Sequence, residues 1–452
     1  MTLLVYGLKG QRYLQGLAYT AAGFDFGVRD ATNRFAGRFN LPLVYVSSDS
    51  ILLCEDTAAY FDRVSRYYYG DLLPRGGNSS LAVIYPGCDE SKTLAQFGKE
   101  WNVPVISTGT TFSNLRDRAL FPTTVALGPI QYEIYGVFLL RLFAKFNWTS
   151  VSLIYDVSGR VAFNQIVSAR IQGYVRRNGP DVQLHVFPLD CSAGKQDDVD
   201  YVTVLTAVSR VSRIILISVP HPITRNFLIN SSKMGWKLGE TVWISLDASQ
   251  GPWGSLAWQF NDSNDGIALT AFRSVFKLEF CARQPTPEFR TFSAELRTRS
   301  ERNYNVSFPP SSSGPSEFVI TAYSAVLALA QVLNESLNDE GIFESGNEIA
   351  RRFLSRTFYD PVVGDLYVDS AGERQRPMCL MDFDFTVREF QEVLSYTRGK
   401  SKDDDIGSVN NRTIDWATLD GKPLSNEPVC GFNEEKPSCK AQGKPRCSFI
   451  VS

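Results

Sequence analysis

The apolar positions in the first half of the chain alternate between two patterns. Short runs of apolar and β-branched residues are followed by longer stretches in which apolar residues recur at helical spacing. This alternation is typical of βαβ units on a parallel sheet. It predicts strands at 2–6, 43–46, 81–85 and 103–107 and helices at 16–35, 56–73 and 91–101.

The same rhythm starts again near residue 131. Two doubly wound lobes, each with its own sheet, explain the repeated pattern better than one continuous sheet. The predicted fold class is therefore α/β with two Rossmann-like lobes. The second set comprises helices at 131–146, 162–177, 199–210 and 224–234 and strands at 151–155, 184–187, 214–218 and 242–246.

The periodic pattern weakens after about residue 265. A long helix is predicted at 317–337, and its apolar stretch contains Tyr323, Ser324 and Gln331, which favours a packed helix over a membrane span. A hairpin-like pair of strands is predicted at 364–368 and 377–385. After about residue 398 the chain is polar and without period, as in a stalk or linker.

Composition narrows the class of protein. The 452 residues are 44% hydrophobic and 21% charged, which is typical of a globular protein. The formal net charge is −2 and the lysines and arginines are scattered along the chain. We therefore expect no nucleic-acid partner.

The cysteines and glycosylation sequons indicate an extracellular environment. The cysteines lack the close pairs of zinc or redox sites, which leaves disulfides and buried thiols as alternatives. An excess of N-x-S/T sequons favours the disulfides, because both features belong to secreted proteins. The cysteines are at positions 54, 88, 191, 281, 379, 430, 439 and 447. The sequons begin at Asn78, Asn147, Asn230, Asn261, Asn305, Asn334 and Asn411.

Targeting segments are missing from the sequence. It begins without the apolar core of a signal peptide, and it contains no run of about twenty uninterrupted apolar residues. An extracellular location therefore implies that part of the natural protein is absent from this sequence.

Candidate catalytic residues are few. The sequence has only two histidines, His185 and His221, and no nucleophile elbow, HExxH or Walker loop. Asp382 and Asp384 are two residues apart in a predicted strand and would point to one face, as an acid/base pair or, more simply, as a solvated surface. We expect structural histidines, a solvated carboxylate pair and no enzyme.

A hydroxyl-rich segment follows the strand at 103–107. Ser107, Thr110 and Thr111 would lie at the carboxyl end of a parallel strand, where hydroxyls and backbone N–H groups can hold a small anion or a ligand carboxylate. A capped loop is the equally simple alternative. The three residues are candidate ligand contacts in a cleft.

Several segments resemble one family, the natriuretic peptide receptors and related receptor guanylyl cyclases. Ser47 to Ser50 followed by Cys54 to Ala59 is similar to its first lobe, and Pro86 to Cys88 followed by Trp101 to Ser107 is similar to its next strand–helix–strand. Phe146 to Asp156 resembles the entry into the second lobe. Cys430 to Cys439 resembles the Cys-Gly-Phe segment that precedes the membrane span in these receptors.

The resemblance implies a type I periplasmic-binding-protein-like fold with a hinge and a glycosylated ectodomain that dimerises. It implies first-lobe segments 1–125 and 270–342, second-lobe segments 126–269 and 343–405, and a juxtamembrane stalk and tail at 406–452. It also implies disulfides Cys54–Cys88 and Cys430–Cys439. Cys191–Cys281 remains by elimination, which leaves Cys379 and Cys447 as thiols or as a further pair.

Natriuretic-type receptors hold a chloride ion in the first lobe, and the positions that match that site are Ser48, Gly87 and Cys88. Glycine permits a close approach, and exposed backbone N–H groups form an anion nest. The resemblance thus implies chloride as a bound ion.

The expected function is ligand binding at the extracellular face of the plasma membrane, as part of a receptor guanylyl cyclase-like receptor whose catalytic domain is not in this sequence. The ligand is either a peptide hormone held between two protomers or a small molecule, and its binding would rearrange a homodimer. The alternative is a soluble amino-acid- or solute-binding protein, or a secreted decoy receptor, of the same fold.

Overall fold

A computed structural model describes most of the chain: residues 1–11, 14–52, 54–75, 80–87, 91–109, 113–158, 162–192, 199–246, 256–283, 286–307, 315–337, 342–398, 405–433 and 435–436. The chain divides into two compact units, each built from two segments. The first unit is Met1–Gln131 with Arg283–Arg376, and the second is Tyr132–Ala282 with Pro377–Ser452. The chain therefore crosses between the units three times.

Strands and helices alternate through both units. The strands are β1 Thr2–Tyr6, β2 Leu43–Val46, β3 Leu81–Tyr85, β4 Val105–Ser107, β5 Thr124–Ala126, β6 Ser150–Asp156, β7 Gln183–Leu189, β8 Ile214–Ser218, β9 Val242–Leu246, β10 Val275–Phe280, β11 Arg356–Phe358, β12 Leu366–Val368, β13 Arg374–Gln375, β14 Met378–Asp384, β15 Glu389–Tyr396 and β16 Gly407–Ser408. The helices are α1 Leu17–Arg34, α2 Cys54–Ala59, α3 Asp62–Arg66, α4 Ser91–Trp101, α5 Glu133–Phe146, α6 Ala162–Asn178, α7 Tyr201–Ser209, α8 His221–Lys233, α9 Asp265–Ala271, α10 Pro287–Tyr304, α11 Glu317–Ser336 and α12 Gly346–Arg351.

The first unit is built on a parallel sheet with strand order β2-β1-β3-β4-β5. This order is that of a doubly wound fold. Helices α1 and α11 pack against each other beside the sheet, and their contact is close because Gly23 and Gly27 of α1 face the α11 backbone and Val326. A Cβ at Gly23 would lie 2.4 Å from the Val319 carbonyl oxygen. The predicted doubly wound first lobe is confirmed.

Helix α11 is long and apolar enough to cross a membrane by length and composition alone. However, 83% of its apolar window is buried inside the protein, as in the core helix of a globular domain. Val319, Tyr323, Val326 and Leu333 all belong to the hydrophobic core of the first unit. The interpretation as a packed helix agrees with this burial.

The predicted hairpin of strands 364–368 and 377–385 is wrong. Strand β12 pairs instead with β11 and β13 in a small antiparallel sheet of the first unit. Strand β14 lies in the second unit, between β10 and β15. The chain leaves one unit for the other at residues 376–377, so adjacency in sequence does not become pairing.

The second unit is built on a larger, mixed sheet with order β16-β15-β14-β10-β9-β8-β6-β7. Strands β7, β6, β8, β9 and β10 are parallel, and β14, β15 and β16 continue the sheet in antiparallel register. Two boundaries therefore differ from those predicted. The segment 270–282 belongs to the second unit, because β10 pairs with β9, and residues 343–376 belong to the first.

In the described part of the chain after residue 405, Trp416 and Leu424 pack on the second unit, contrary to the predicted polar stalk. Trp416 is buried, with ring centroids 4.7 Å from Phe146 and 5.4 Å from Phe276. The indole N–H of Trp148 donates a hydrogen bond to the Leu424 carbonyl at 2.8 Å. Isolated aromatic residues anchor this polar segment, although it has no apolar period.

Candidate functional site

Several candidate residues chosen from the sequence lie in loops at the carboxyl edge of the first unit's sheet. All neighbouring strands of that sheet are parallel, so the loops that follow them leave from the same edge. Ser48 follows β2, Gly87 follows β3, and Gly109 follows β4. Strand β1 lies between β2 and β3, so Ser48 and Gly87 follow strands that are not neighbours in the sheet.

The loops after β3 and β4 touch at two glycines. A Cβ on Gly109 would lie 1.9 Å from the carbonyl oxygen of Gly87, and a Cβ on Gly87 would lie 2.5 Å from the Tyr85 ring. The backbone N–H of Thr108 also donates to the Tyr85 carbonyl at 2.9 Å. A side chain at Gly109 would collide with the backbone of the loop after β3, so glycine at this position permits the close approach of the two loops.

Of the three positions that the resemblance assigns to a chloride ion, the structure describes Ser48 and Gly87. Ser48 is half-buried in a turn in which its hydroxyl oxygen accepts from the Ser50 N–H at 3.3 Å, so its own O–H can still donate elsewhere. The neighbouring Ser47 hydroxyl donates to the Gly7 carbonyl at 2.7 Å, which fixes the loop over the end of β1. Cys88 lies outside the described residues. A chloride site at Ser48, Gly87 and Cys88 therefore stays a prediction.

Ser107, one of the three candidate ligand contacts, is fully buried in β4. Its hydroxyl has no hydrogen-bond partner among the described residues, and neither has that of Thr108. Thr110 and Thr111 lie outside the described residues. A role for Ser107, Thr110 and Thr111 in ligand binding therefore stays a prediction.

Two tyrosines at this edge were missed by sequence reasoning. Tyr6 and Tyr85 are the last residues of adjacent strands β1 and β3, and their rings stack with centroids 6.0 Å apart. The Tyr6 hydroxyl donates to the Thr57 carbonyl at 2.5 Å and the Tyr85 hydroxyl to the Thr57 side chain at 3.4 Å. Burial raises the pKa of Tyr6 above its ordinary value, so the phenol remains a donor. The sequence feature that could have identified this pair is a tyrosine at the carboxyl end of each of two predicted strands.

The carboxyl edge of the second unit's sheet centres on a buried carboxylate, which was also missed. Asp156 ends β6 and is 1% exposed. It accepts hydrogen bonds from the backbone N–H and hydroxyl of Ser158, at 2.8 and 2.9 Å, and from the Cys191 N–H at 3.2 Å. Asp156 therefore joins the loops that follow β6 and β7. The sequence feature that could have identified this site is an aspartate at the carboxyl end of a mostly apolar strand.

The histidines lie apart in the second unit. His185 is on β7, where its Nε2 is 3.2 Å from the Ser150 hydroxyl, which also donates to the Val211 carbonyl at 2.5 Å. His221 is the first residue of α8, after the carboxyl end of β8. The structure does not bring the two histidines into one constellation.

Asp382 and Asp384 occupy different environments, so the prediction of a jointly solvated face is wrong. Asp382 is buried and accepts from the Asp415 N–H at 2.6 Å. Burial, together with the Asp415 and Asp384 charges, raises the pKa of Asp382 to about 6. Asp384 is exposed and accepts from the N–H of Thr386 in the following turn. The segment that carries Asp415 covers one carboxylate and leaves the other in solvent.

The predicted Cys191–Cys281 disulfide is wrong, because Cys281 is bonded to Cys379. The two cysteines sit on neighbouring chain segments, where β10 and β14 pair in antiparallel register. These sulfurs and Glu392 form the described group closest to a metal-ligand cluster, but disulfide sulfurs are not thiolate ligands. Cys191 is buried.

The other two predicted disulfides involve residues outside the described set. Cys430 is disulfide-bonded. The side chain of Cys54 and the whole of Cys88 also lie outside them, as does Cys439.

The sequon asparagines differ in exposure. Asn147, Asn261, Asn305 and Asn411 are exposed and have positive φ values of 51–59°. Asn230 and Asn334 are half-buried on α8 and α11, and both amide side chains are hydrogen-bonded, to the Asn226 carbonyl and to Arg38 respectively. Asn78 lies outside the described residues.

Comparison with known proteins identifies a matching family and several similar receptors. Residues 70–379 match the receptor family ligand-binding region, the ANF receptor family. Human atrial natriuretic peptide receptor 2 is 25% identical over 421 residues, which cover 88% of this chain and 37% of the receptor. Japanese eel (Anguilla japonica) atrial natriuretic peptide receptor 2 is 24% identical over 82% of the chain and 34% of the receptor.

A nematode protein shares a shorter region. Receptor-type guanylate cyclase gcy-28 of Caenorhabditis elegans is 26% identical over 238 residues, 51% of this chain and 18% of the cyclase. The chain spans 37% or less of the length of each of these three relatives.

Proposed function

Because the chain belongs to the ANF receptor family of ligand-binding regions, we propose that it is the extracellular ligand-binding region of a receptor guanylyl cyclase-like cell-surface receptor. The observation that carries the proposal is the extent of the family match. Residues 70–379 include all three points at which the chain passes between the two units, near residues 131, 282 and 376. The match therefore covers the connections together with a large part of each unit.

The region itself binds and does not catalyse. One relative is named as a guanylate cyclase, and the chain aligns with only 18% of it, so cyclase activity would belong to a part of the receptor beyond this region. The ligand is a peptide hormone or a small molecule, and two copies of the chain form a homodimer whose arrangement the ligand shifts. A shift of this kind requires that the ligand bind one arrangement more tightly than the other.

A chloride ion at Ser48, Gly87 and Cys88 belongs to the same proposal. Its support is the Ser48 hydroxyl, which accepts from the Ser50 N–H and keeps its own hydrogen available to an anion. Ser107, Thr110 and Thr111 remain the candidate contacts for the ligand itself.

The extracellular location is supported by the Cys281–Cys379 disulfide and by four exposed sequon asparagines. We include Cys54–Cys88 and Cys430–Cys439 as further disulfides. The last of these is consistent with the bonded state of Cys430.

A chimeric receptor tests the function. This chain replaces the ligand-binding region of a receptor-type guanylate cyclase, and cyclic GMP is measured in transfected cells exposed to synthetic natriuretic peptides and to fractionated tissue extracts. At least one stimulus should change cyclic GMP in the chimera. The parent receptor with its own ligand-binding region serves as the control for expression and cyclase activity.

The opposite result is equally informative. A chimera that reaches the cell surface but responds to no stimulus, while the secreted chain sediments as a monomer and binds free amino acids in calorimetry, would contradict the receptor assignment. That combination would establish the solute-binding alternative.

A further inference from the structure

Two of the three connections between the units start from one corner of the second unit's sheet. Strand β10 ends at Phe280, and the chain leaves the second unit after Ala282. It returns at Pro377, and β14 begins at Met378. The two strands are antiparallel neighbours, and their ladder ends with the Phe280–Met378 pair. These two connecting segments, residues 281–283 and 376–378, therefore adjoin the same end of one strand pair.

The Cys281–Cys379 disulfide closes this corner covalently. Cys281 directly follows the last ladder residue of β10, and its N–H donates to the Pro377 carbonyl at 2.9 Å. The end of a strand pair opens more readily than its middle. A covalent bond at this end keeps the two connecting segments together even when their hydrogen bonds open.

The two sulfurs differ in accessibility. Cys281 is partly exposed, whereas Cys379 is 1% exposed. In thiol–disulfide exchange, a thiolate attacks one sulfur and displaces the other as a thiolate. Attack at the more accessible Cys281 makes Cys379 the leaving group, and a thiolate forms with difficulty in a buried position.

The carboxylate of Glu392 lies beside both sulfurs. One of its oxygens is within 4.8 Å of the Sγ atoms of Cys281 and Cys379. Glu392 is on β15, next to β14, and its Oε1 accepts from the Ala282 N–H at 3.0 Å. This hydrogen bond fixes the carboxylate at the corner. In the described part of the chain, Glu392 forms no salt bridge.

The other charges on this face of the sheet cancel. Glu279 is directly opposite Cys379 on β10, so their Cβ atoms are about 5 Å apart. Its carboxylate pairs with Lys277 of the same strand at 2.9 Å, and both side chains are nearly buried. A single net negative charge, that of Glu392, therefore lies beside the disulfide.

We propose that Glu392 protects the Cys281–Cys379 disulfide from reduction and thereby keeps the two connecting segments joined. The carboxylate repels an incoming thiolate and also the thiolate that develops on Cys379, because all three are negative. This protection does not depend on the proposed receptor function.

Reduction by an external thiol has two steps. Its thiolate attacks Cys281 Sγ, the bond between the two cysteines breaks, and Cys379 leaves with the electron pair and takes up a proton. A second external thiol then displaces Cys281 from the mixed disulfide, so that two external thiols become one disulfide and both cysteines become thiols. Glu392 acts on the first step.

The charge of the attacking thiol tests the proposal. The secreted, full-length protein is treated under native conditions with cysteamine, which is cationic, and with mercaptoethanesulfonate, which is anionic. Loss of the cross-linked Cys281–Cys379 peptide is followed by alkylation and mass spectrometry. The ratio of the two rates, cysteamine to sulfonate, should be about tenfold higher in the wild type than in E392Q. Intrinsic thiol reactivities cancel in this comparison.

The variants are matched in structure. Glu392→Gln keeps an amide oxygen that can accept from the Ala282 N–H, so it removes the charge and not the hydrogen bond. Glu389→Gln is the control, because Glu389 is exposed on the same strand and pairs with Asp384, at the opposite end of β14 from Cys379. E389Q should keep the wild-type ratio. The proposal is overturned if E392Q also keeps it, or if E392Q reacts no faster than the wild type with the anionic thiol.

Hydrogen exchange tests the role of the disulfide at the connecting segments. Amides of β10 and β14 should exchange faster in the C281S/C379S double variant than in the wild type, while those of β8 and β9 keep the wild-type rate. Unchanged exchange in β10 and β14 would show that the disulfide does not hold this corner. E392Q with its disulfide intact should exchange like the wild type, and faster exchange would assign Glu392 a structural role instead.

Discussion

Cys281, directly after β10, and Cys379 on β14 are joined by a disulfide although they are 98 residues apart in sequence. We expect peptide mapping without reduction to recover a cross-linked pair of peptides that contain these two cysteines. Recovery of a Cys191–Cys281 peptide instead would contradict the structure.

Removal of this disulfide should lower the stability of the second unit. The double substitution of Cys281 and Cys379 by serine opens a long loop in the unfolded chain, and a loop of this length corresponds to about 4.7 kcal/mol in the chain-entropy account. Urea unfolding of the secreted protein measures the change. Ser395→Ala, at the position that pairs with Cys379 on β15, controls for substitution in the same part of the sheet.

The contact between Gly109 and Gly87 predicts a sharp penalty for a small side chain. Gly109→Ala places a Cβ 1.9 Å from a backbone carbonyl oxygen, so the loop must move, at a cost of about 1–3 kcal/mol. Gly173→Ala is the control, because a Cβ there meets nothing within 4 Å and should stabilise helix α6 by about 0.5–1 kcal/mol. Thermal unfolding that ranks G109A at or above G173A would disprove the close approach.

Trp416 anchors the segment that follows β15. Trp416→Ala removes a ring in contact with Phe146 and Phe276, and loss of a buried tryptophan costs about 3–5 kcal/mol. Limited proteolysis should then cleave the segment 405–433 faster than in the wild type. Leu419→Ala is the control, since Leu419 is fully exposed. Unchanged cleavage in W416A would show that the segment is held by other contacts.

The periodic pattern predicted the two sheets, because βαβ units are local in sequence. It could not predict that β14 pairs with β10, since antiparallel partners a hundred residues apart leave no local signal. For the same reason, elimination assigned the wrong partner to Cys281.

The candidate site residues show the same limit. Ser48 and Gly87 were found through a resemblance, and the parallel sheet brings their loops to one edge. The contacts of Asp156 were not predicted, because Ser158 and Cys191 lie on loops that follow different strands.

The sequons should differ in glycan occupancy when the chain is secreted from animal cells. Asn147, Asn261, Asn305 and Asn411 are exposed and should carry glycans. Asn230 should be largely unmodified, because it is half-buried and its Nδ2, the atom that is glycosylated, donates to the Asn226 carbonyl at 2.8 Å. Glycopeptide mass spectrometry measures each site, and full occupancy at Asn230 with none at Asn261 would contradict this order.

Asp382 makes stability depend on pH in a defined direction. Its pKa of about 6 in the folded protein exceeds the ordinary 3.8, so the folded state binds the proton more tightly than the unfolded state. The stability that comes from this group is complete below about pH 3.8 and is lost as the pH rises through about 6.

Asp382→Asn should therefore stabilise the protein by about 1–3 kcal/mol near pH 7 and have little effect near pH 4. The amide oxygen can still accept from the Asp415 N–H, and the amide nitrogen replaces Oδ1, which has no hydrogen-bond partner among the described residues. Urea unfolding at both pH values measures the difference. Asp384→Asn, two residues away and exposed, should show no comparable gain. A destabilised D382N at neutral pH would mean that the carboxylate has a cationic partner there and that burial does not control its titration.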